Sequence, residues 1–66
     1  MIELTLNGEK VTTASDTVGA FLAEHQLTAK KIAVELNRQV ISRNRFADTL
    51  LRDGDVIEIV QFVGGG

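Results

Sequence analysis

The sequence predicts an α+β domain in which a mixed sheet packs against one main helix, and three observations lead to this prediction. Apolar and polar residues alternate in several short segments, as in strands with one buried face. One segment instead places apolar residues at helical spacing. The 66 residues are enough for one small domain, and 44% hydrophobic with 24% charged residues is typical of a folded globular chain.

The chain begins with a predicted β-hairpin. Residues 2 to 6 form the first strand, because apolar side chains alternate there with polar ones: Ile2, Leu4 and Leu6. Asn7-Gly8 is a strong signal for a tight turn, since both residue types tolerate the positive φ that such turns require. The second strand is then expected from Lys10 to Thr13.

The main helix is predicted to follow this hairpin. Ser15 or Asp16 would supply the oxygen that caps it, so the helix is expected to start at Thr17. It is expected to end near His25 or Gln26. Its buried stripe consists of apolar residues at positions i, i+3 and i+4: Val18, Phe21 and Leu22.

The second half of the chain returns to strands. Alternation predicts a third strand with inward-facing Ile32, Val34 and Leu36. A turn at Asn37-Arg38 leads to a short strand around residues 40 to 42. An irregular or single-turn helical link follows, and its expected anchors are Phe46 and Leu50.

The final strand is predicted over residues 56 to 62, after a turn at Asp53-Gly54. If this strand inserts beside the first one, the topology is the β-grasp arrangement, although periodicity alone does not determine that pairing. The chain is accordingly divided into a domain of residues 1–62 and a flexible tail of residues 63–66.

Composition restricts the chemistry that the chain can perform. Without Cys and with a single His, it has no disulfide framework, no conventional zinc site and no thiol nucleophile. The net charge of −2 and the lack of a long apolar run predict a cytoplasmic protein that binds neither nucleic acid nor membranes. Six of the seven basic residues lie between Lys30 and Arg52, so an RNA-binding module remains an alternative, in which the terminal glycines are only a loose end.

The terminal Gly64-Gly65-Gly66 is the most informative segment. Extended residues 63 to 66 would reach roughly 13 Å beyond the sheet, and glycines pass through narrow channels because they lack Cβ. The Gly66 carboxylate becomes reactive only after activation, for example by adenylation, and either sulfur or an amine then attacks it. The chain is therefore predicted to be a substrate of partner enzymes and not a catalyst.

The strand before the tail is predicted to provide a docking surface. With Ile57 and Ile59 facing the core, alternate residues of the final strand point outward. An apolar patch with a carboxylate rim is expected beside the tail, and the predicted interface consists of Ala33, Glu58, Val60, Phe62 and Val63. The alternative for Phe62 is that it folds over the edge of the core or is merely exposed.

Taken together, these features resemble the small β-grasp, ubiquitin-like sulfur carriers, and in particular the ThiS family of thiamine biosynthesis. The resemblance covers essentially the whole chain. The matching segments are Asn7-Gly8, Thr17-Val18, Ala33-Val34 with Asn37, Asp53-Gly54-Asp55, and the ending Val63-Gly64-Gly65-Gly66.

The resemblance implies a specific role for the tail. An E1-like enzyme would consume ATP to adenylate Gly66, and a sulfur donor such as a cysteine desulfurase would supply the sulfur of a thiocarboxylate. Thiazole synthase would receive that sulfur, Gly65 would be the penultimate glycine of the diglycine ending, and no cofactor would be bound permanently. The molybdopterin-synthase small subunit and ubiquitin-like modifiers share the diglycine ending and remain alternatives, although the former tends to carry Pro before the tail.

Overall fold

The computed structural model describes residues 1–28 and 31–62. Within these ranges the elements follow the predicted order, with a 3₁₀ helix between the last two strands. Their bounds are β1 Ile2–Leu6, β2 Glu9–Thr13, α1 Val18–Glu24, β3 Ile32–Leu36, β4 Gln39–Ile41, the 3₁₀ helix Arg43–Asp48, and β5 Val56–Gln61.

The five strands form one mixed sheet in the order β2-β1-β5-β3-β4. Strand β5 lies at the centre, antiparallel to β3 and parallel to β1, where Thr5 is opposite Val56 and Leu6 is opposite Ile57. The last strand is therefore inserted beside the first, which confirms the β-grasp arrangement.

Both hairpins turn through residues with positive φ. Asn7 and Gly8 have φ of 49° and 86°, and Asn37 and Arg38 have φ of 51° and 71°. Two successive positive φ values characterise the tight turns whose twist matches that of the flanking strands. Both predicted turns are confirmed, while β2 begins one residue earlier than predicted and β4 ends one residue earlier.

The helix is capped by Thr17, so the prediction of Ser15 or Asp16 as the cap was wrong. The Thr17 hydroxyl accepts a hydrogen bond from the Ala20 N–H at 3.1 Å, and the helix begins at Val18. Ser15 is occupied elsewhere, because its hydroxyl donates to the Glu24 carboxylate at 3.1 Å. The predicted end near His25 is confirmed.

One face of the sheet packs on the helix to form the core. The fully or nearly fully buried apolar residues are Leu4, Val18, Phe21, Leu22, Val34, Leu51 and Ile57. The prediction of Leu50 as an anchor was wrong, since Leu50 is 60% exposed and Leu51 only 6%. Leu50 forms an isolated β-bridge with Thr17, and in this locally extended backbone the next side chain turns inward. Phe46 packs against the core as predicted.

Candidate functional site

The structure describes the base of the predicted reactive tail. Val63, Gly64, Gly65 and Gly66 lie outside the described residues, and the division into a domain and a tail stays a prediction. Phe62 is the last described residue, immediately after β5. The geometry of the site is therefore the geometry of β5 and its neighbours.

On its β3 side, β5 is held along its whole length. The register pairs Ala33 with Val60, and the backbone N–H of Phe62 donates to the Lys31 carbonyl at 3.0 Å, one residue before β3 begins. At the opposite end, the Asn37 N–H donates to the Val56 carbonyl at 2.8 Å. Strand β3 therefore supports β5 up to the point where the tail begins.

Two polar side chains replace backbone partners along β5. Asn37 Oδ1 accepts from the Val56 N–H at 2.9 Å, and Asn37 Nδ2 donates to Asp55 Oδ1 at 3.0 Å. Asn7 Oδ1 accepts from the Ile59 N–H at 2.8 Å, while Asn7 Nδ2 donates to the Ile59 carbonyl at 3.2 Å. Asn37 thus holds the edge of β5 that faces β3, and Asn7 holds the edge that faces β1.

The turn before β5 is closed by aspartates. The Asp55 carboxylate accepts from the Arg52 N–H at 2.8 Å, and the Asp53 carboxylate accepts from the Glu3 N–H at 2.8 Å. Gly54 has φ of 89°, a conformation that glycine adopts without steric cost. These contacts confirm the predicted turn and give both aspartates a structural role in it.

The predicted outward residues of β5 do face away from the core. Glu58 is exposed, and Val60 and Phe62 are 57% and 59% exposed. Phe62 therefore does not fold over the core edge. Ala33, opposite Val60, is half-buried.

Two apolar residues of this surface were missed by the sequence prediction. Val56 is 42% exposed and lies two positions before Glu58, so it points to the same outer face. Alternation along β5 was therefore enough to predict its exposure. Val40 is 75% exposed and lies opposite Glu35, which itself lies opposite Glu58. Directly opposed residues share a face, so finding Val40 required the register of β3 with β4. We name this surface the outer patch, and it consists of Ala33, Val40, Val56, Val60 and Phe62.

Two arginines of the basic segment can be placed by their surroundings. The Arg43 guanidinium donates to the Thr28 carbonyl at 3.4 Å. Arg45 lines a shallow cavity of about 290 Å³ together with Ser42, Thr49 and two residues of β4. The cavity contains one guanidinium and two hydroxyls, and the RNA-binding alternative stays a prediction that the structure does not test.

A cluster of polar side chains lies at the C-terminal end of the helix, around Glu24. The buried Thr13 hydroxyl donates to Glu24 Oε1 at 2.5 Å and accepts from the Ser15 N–H at 3.0 Å. Hydrogen bonds from Thr13 and then Ser15 lower the pKa of the Glu24 carboxyl. The cluster connects the β2–α1 loop to the end of the helix. Beside it, the rings of His25 and Phe21 pack together with their centroids 4.4 Å apart.

Within the described ranges, no three metal-ligating side chains come together. None of the helices found there has the length and apolar character that crossing a membrane requires.

A central terminal strand, a sheet in the order β2-β1-β5-β3-β4 and one covering helix define a small β-grasp protein. The family model of ThiS matches residues 3–66, and the chain belongs to the ThiS family. The crystal structure of the thiamine biosynthesis protein (ThiS) from Geobacter metallireducens superposes with a TM-score of 0.83 at 35% identity. That match covers 98% of this chain and 100% of the other.

Curated relatives agree with this assignment. The chain is 46% identical to the sulfur carrier protein ThiS of Bacillus subtilis, over 96% of this chain and 98% of that protein. It is 41% identical to a thiazole synthase of Paramagnetospirillum magneticum over 98% of its own length, but it spans only 20% of that protein. The prediction of a sulfur carrier of the ThiS family in thiamine biosynthesis, rather than an enzyme, is confirmed by the relatives of matching length.

Proposed function

We propose that this chain carries sulfur for thiazole formation as a thiocarboxylate on Gly66. The observation that carries the proposal is that the ThiS family match extends through residue 66 and so includes the glycines. The match to the Bacillus subtilis carrier, which covers 98% of that protein, supports the same role. We further propose that the chain acts in the cytoplasm, where ATP is at hand, and holds no permanent cofactor.

The proposed chemistry proceeds in two substitutions. In the active site of an E1-like enzyme, a carboxylate oxygen of Gly66 attacks the α-phosphorus of ATP, and pyrophosphate leaves. Sulfur at the oxidation level of hydrosulfide then attacks the acyl carbon, a C–S bond forms, and AMP leaves with the former carboxylate oxygen. A cysteine desulfurase together with a reducing thiol would provide sulfur at that level.

Thiazole synthase is the proposed acceptor of the sulfur. The support is that a segment matching this chain occupies about one fifth of the Paramagnetospirillum magneticum thiazole synthase. In that protein, the matching segment and the remaining four fifths belong to one polypeptide. Joining two modules covalently raises their effective concentration for each other, which favours modules that act together.

The outer patch is the proposed docking surface for the partner enzymes. Val60 and Phe62 are large, exposed and adjacent to the tail, while Glu58 and Glu35 place carboxylates beside them. Exposed apolar residues grouped on one face are characteristic of protein interaction sites. A partner that binds this surface would hold β5 and so bring Gly66 to its active site.

Intact mass spectrometry tests the covalent part of the proposal. After incubation with an E1-like adenylating enzyme, ATP and sulfide, the protein should gain the mass difference between one sulfur and one oxygen atom. Omitting ATP or deleting Gly66 should abolish the gain. An unchanged mass with an enzyme that modifies the Bacillus subtilis carrier under the same conditions would refute the proposal.

The docking part has a matched pair of variants. Val60→Ser and Leu50→Ser remove side chains of nearly equal exposure, 57% and 60%, but only Val60 belongs to the outer patch. Val60→Ser should raise KM for the adenylating enzyme, and Leu50→Ser should leave it unchanged. Equal KM values for the two variants would exclude the outer patch as the docking surface.

A further inference from the structure

The edge of β5 that faces β1 is supported over a shorter length than the edge that faces β3. Strand β1 ends at Leu6, opposite Ile57, whereas β5 continues to Gln61. The last backbone bond from this side is donated by the Asn7 N–H to the Ile57 carbonyl at 3.0 Å. Beyond Ile57, backbone pairing with β1 is finished.

The Asn7 side chain extends this support by one further position. With φ of 49°, Asn7 turns away from the strand direction while its amide group stays beside β5. That amide both accepts from and donates to Ile59, at 2.8 Å and 3.2 Å. A side-chain amide carries the same donor and acceptor as a peptide group, so Asn7 stands in for the next residue of the parallel ladder.

Ile59 is the last residue of β5 that is held on this edge. Because Phe62 bonds Lys31, the even-numbered residues of β5 direct their backbone groups toward β3, and odd-numbered Gln61 directs its own toward the β1 side. In the described part of the chain, no partner meets Gln61 on that side. On this edge, the Asn7 side chain extends the support of β5 to Ile59, three residues before Phe62. Without that side chain, the support would end at Ile57, five residues before Phe62.

We propose that Asn7 is a positioning residue for the reaction at the C-terminus. By holding Ile59 on the side that faces β1, it fixes the direction of the end of β5, from which the chain continues to Gly66. The inference rests on the proposed function, because a direction matters only if the end of the chain must enter another active site. Small misplacements of a reacting group lower the rate of a reaction strongly, even when they arise far from the reacting atoms.

Asn37 provides a matched control within the same chain. It also lies in a hairpin turn with positive φ and also makes two side-chain hydrogen bonds, one to the first residue of β5 and one to the residue before it. Its contacts, however, are with Asp55 and Val56 at the start of the strand, six residues before Phe62. A purely structural effect should therefore be similar for Asn7 and Asn37, whereas an effect on the tail should be specific to Asn7.

The test compares Asn7→Gly with Asn37→Gly. Glycine keeps the positive φ of either turn and removes only the side-chain bonds. With an E1-like adenylating enzyme and ATP, at a temperature where circular dichroism shows both variants folded, kcat for pyrophosphate release should fall about tenfold in Asn7→Gly. It should stay within about twofold of wild type in Asn37→Gly. KM should change less than kcat, because the outer patch is intact.

Two further measurements separate positioning from stability. Hydrogen exchange should show lost protection of the Ile59 amide in Asn7→Gly and of the Val56 amide in Asn37→Gly. Asn7→Asp keeps the acceptor for the Ile59 N–H and loses the donor, so its kcat should lie between those of wild type and Asn7→Gly. If both glycine variants have equal kcat while wild type is active, the positioning role is overturned. If wild type itself releases no pyrophosphate with an enzyme that activates the Bacillus subtilis carrier, the proposed function fails as well.

Discussion

Glu58→Gln should make the isolated domain more stable, because two carboxylates lie directly opposite each other on the exposed face of the sheet. Glu58 on β5 is the cross-strand partner of Glu35 on β3. In the part of the chain that the structure describes, the ion pair found joins Lys10 to Glu3, so neither of these carboxylates is neutralised by a salt bridge there. Like charges in directly opposed positions destabilise a sheet.

The size of this effect follows from the register. Opposed Cα atoms in a hydrogen-bonded pair are about 5.5 Å apart, and two charges about 6 Å apart in water repel by about 0.7 kcal/mol. Salt at 0.1 M, with a screening length of about 10 Å, reduces this repulsion to about 0.4 kcal/mol. For 66 residues, an unfolding entropy of about 0.14 kcal/mol/K converts it to a Tm increase of about 3 °C.

Thermal unfolding at two salt concentrations measures this increase. Glu58→Gln should raise Tm by about 4 °C at 0.01 M salt and by less than about 1 °C at 1 M. Glu9→Gln is the control, because it removes the same charge from an exposed position opposite Leu6, where no carboxylate faces it. A Tm increase that is equal in the two variants, or that does not decline with salt, would refute the pairwise repulsion.

Two further predictions concern the core and the Glu24 cluster. Leu22→Ala removes a fully buried side chain and should cost about 2–5 kcal/mol of a total stability of about 3–10 kcal/mol, measured by urea unfolding. A small shift of the urea midpoint would contradict it. Hydrogen bonds from Thr13 and Ser15 lower the pKa of Glu24 from 4.5, so their stabilisation is present above that value and lost as the pH falls through the lower, folded pKa. Urea midpoints of Thr13→Val and wild type should therefore differ more at pH 6 than at acidic pH, where the part of the difference that depends on the Glu24 carboxylate is lost. A difference independent of pH would exclude this linkage.

The strands and turns were predictable because their signals are local. Alternation along residues 2–6 and 32–36 determined both the strands and their buried faces, and Asn7-Gly8 determined a turn that only residues tolerant of positive φ accept. The outward direction of Val60 and Phe62 followed from the same alternation. In each case a single stretch of chain contained the whole argument.

The errors arose where a distant segment determines the outcome. Ser15 has the chemistry of a helix cap, but Glu24 at the other end of the helix binds its hydroxyl and Thr17 takes the capping position. Leu50 and Leu51 are adjacent and identical in type, and the bridge between Leu50 and Thr17 decides which one is buried. No window of neighbouring residues contains this information.

The hydrogen bonds of Asn7 illustrate the same limit at the candidate site. The sequence indicates a turn at Asn7, and that prediction is complete without any role for its side chain. Its contact with Ile59 spans 52 positions of the chain and exists only because β5 lies beside β1. A residue chosen for its backbone conformation thereby acquires a second role from the topology.

Because β5 lies at the centre of the sheet, its alternate residues face either the core or the exposed surface that is proposed for docking. Ile57 and Ile59 face the helix layer and carry the core, whereas Val56, Glu58 and Val60 face outward on the same strand. Because β3 pairs with β5 along its length and the β1 side holds it as far as Ile59, an outward substitution leaves this pairing intact and changes mainly the exposed surface and its charges. Inward substitutions act through the core and must change the stability of the whole domain. The strand that leads to the tail can therefore vary the proposed docking surface with little effect on its fold, which an edge strand held on one side would do less well.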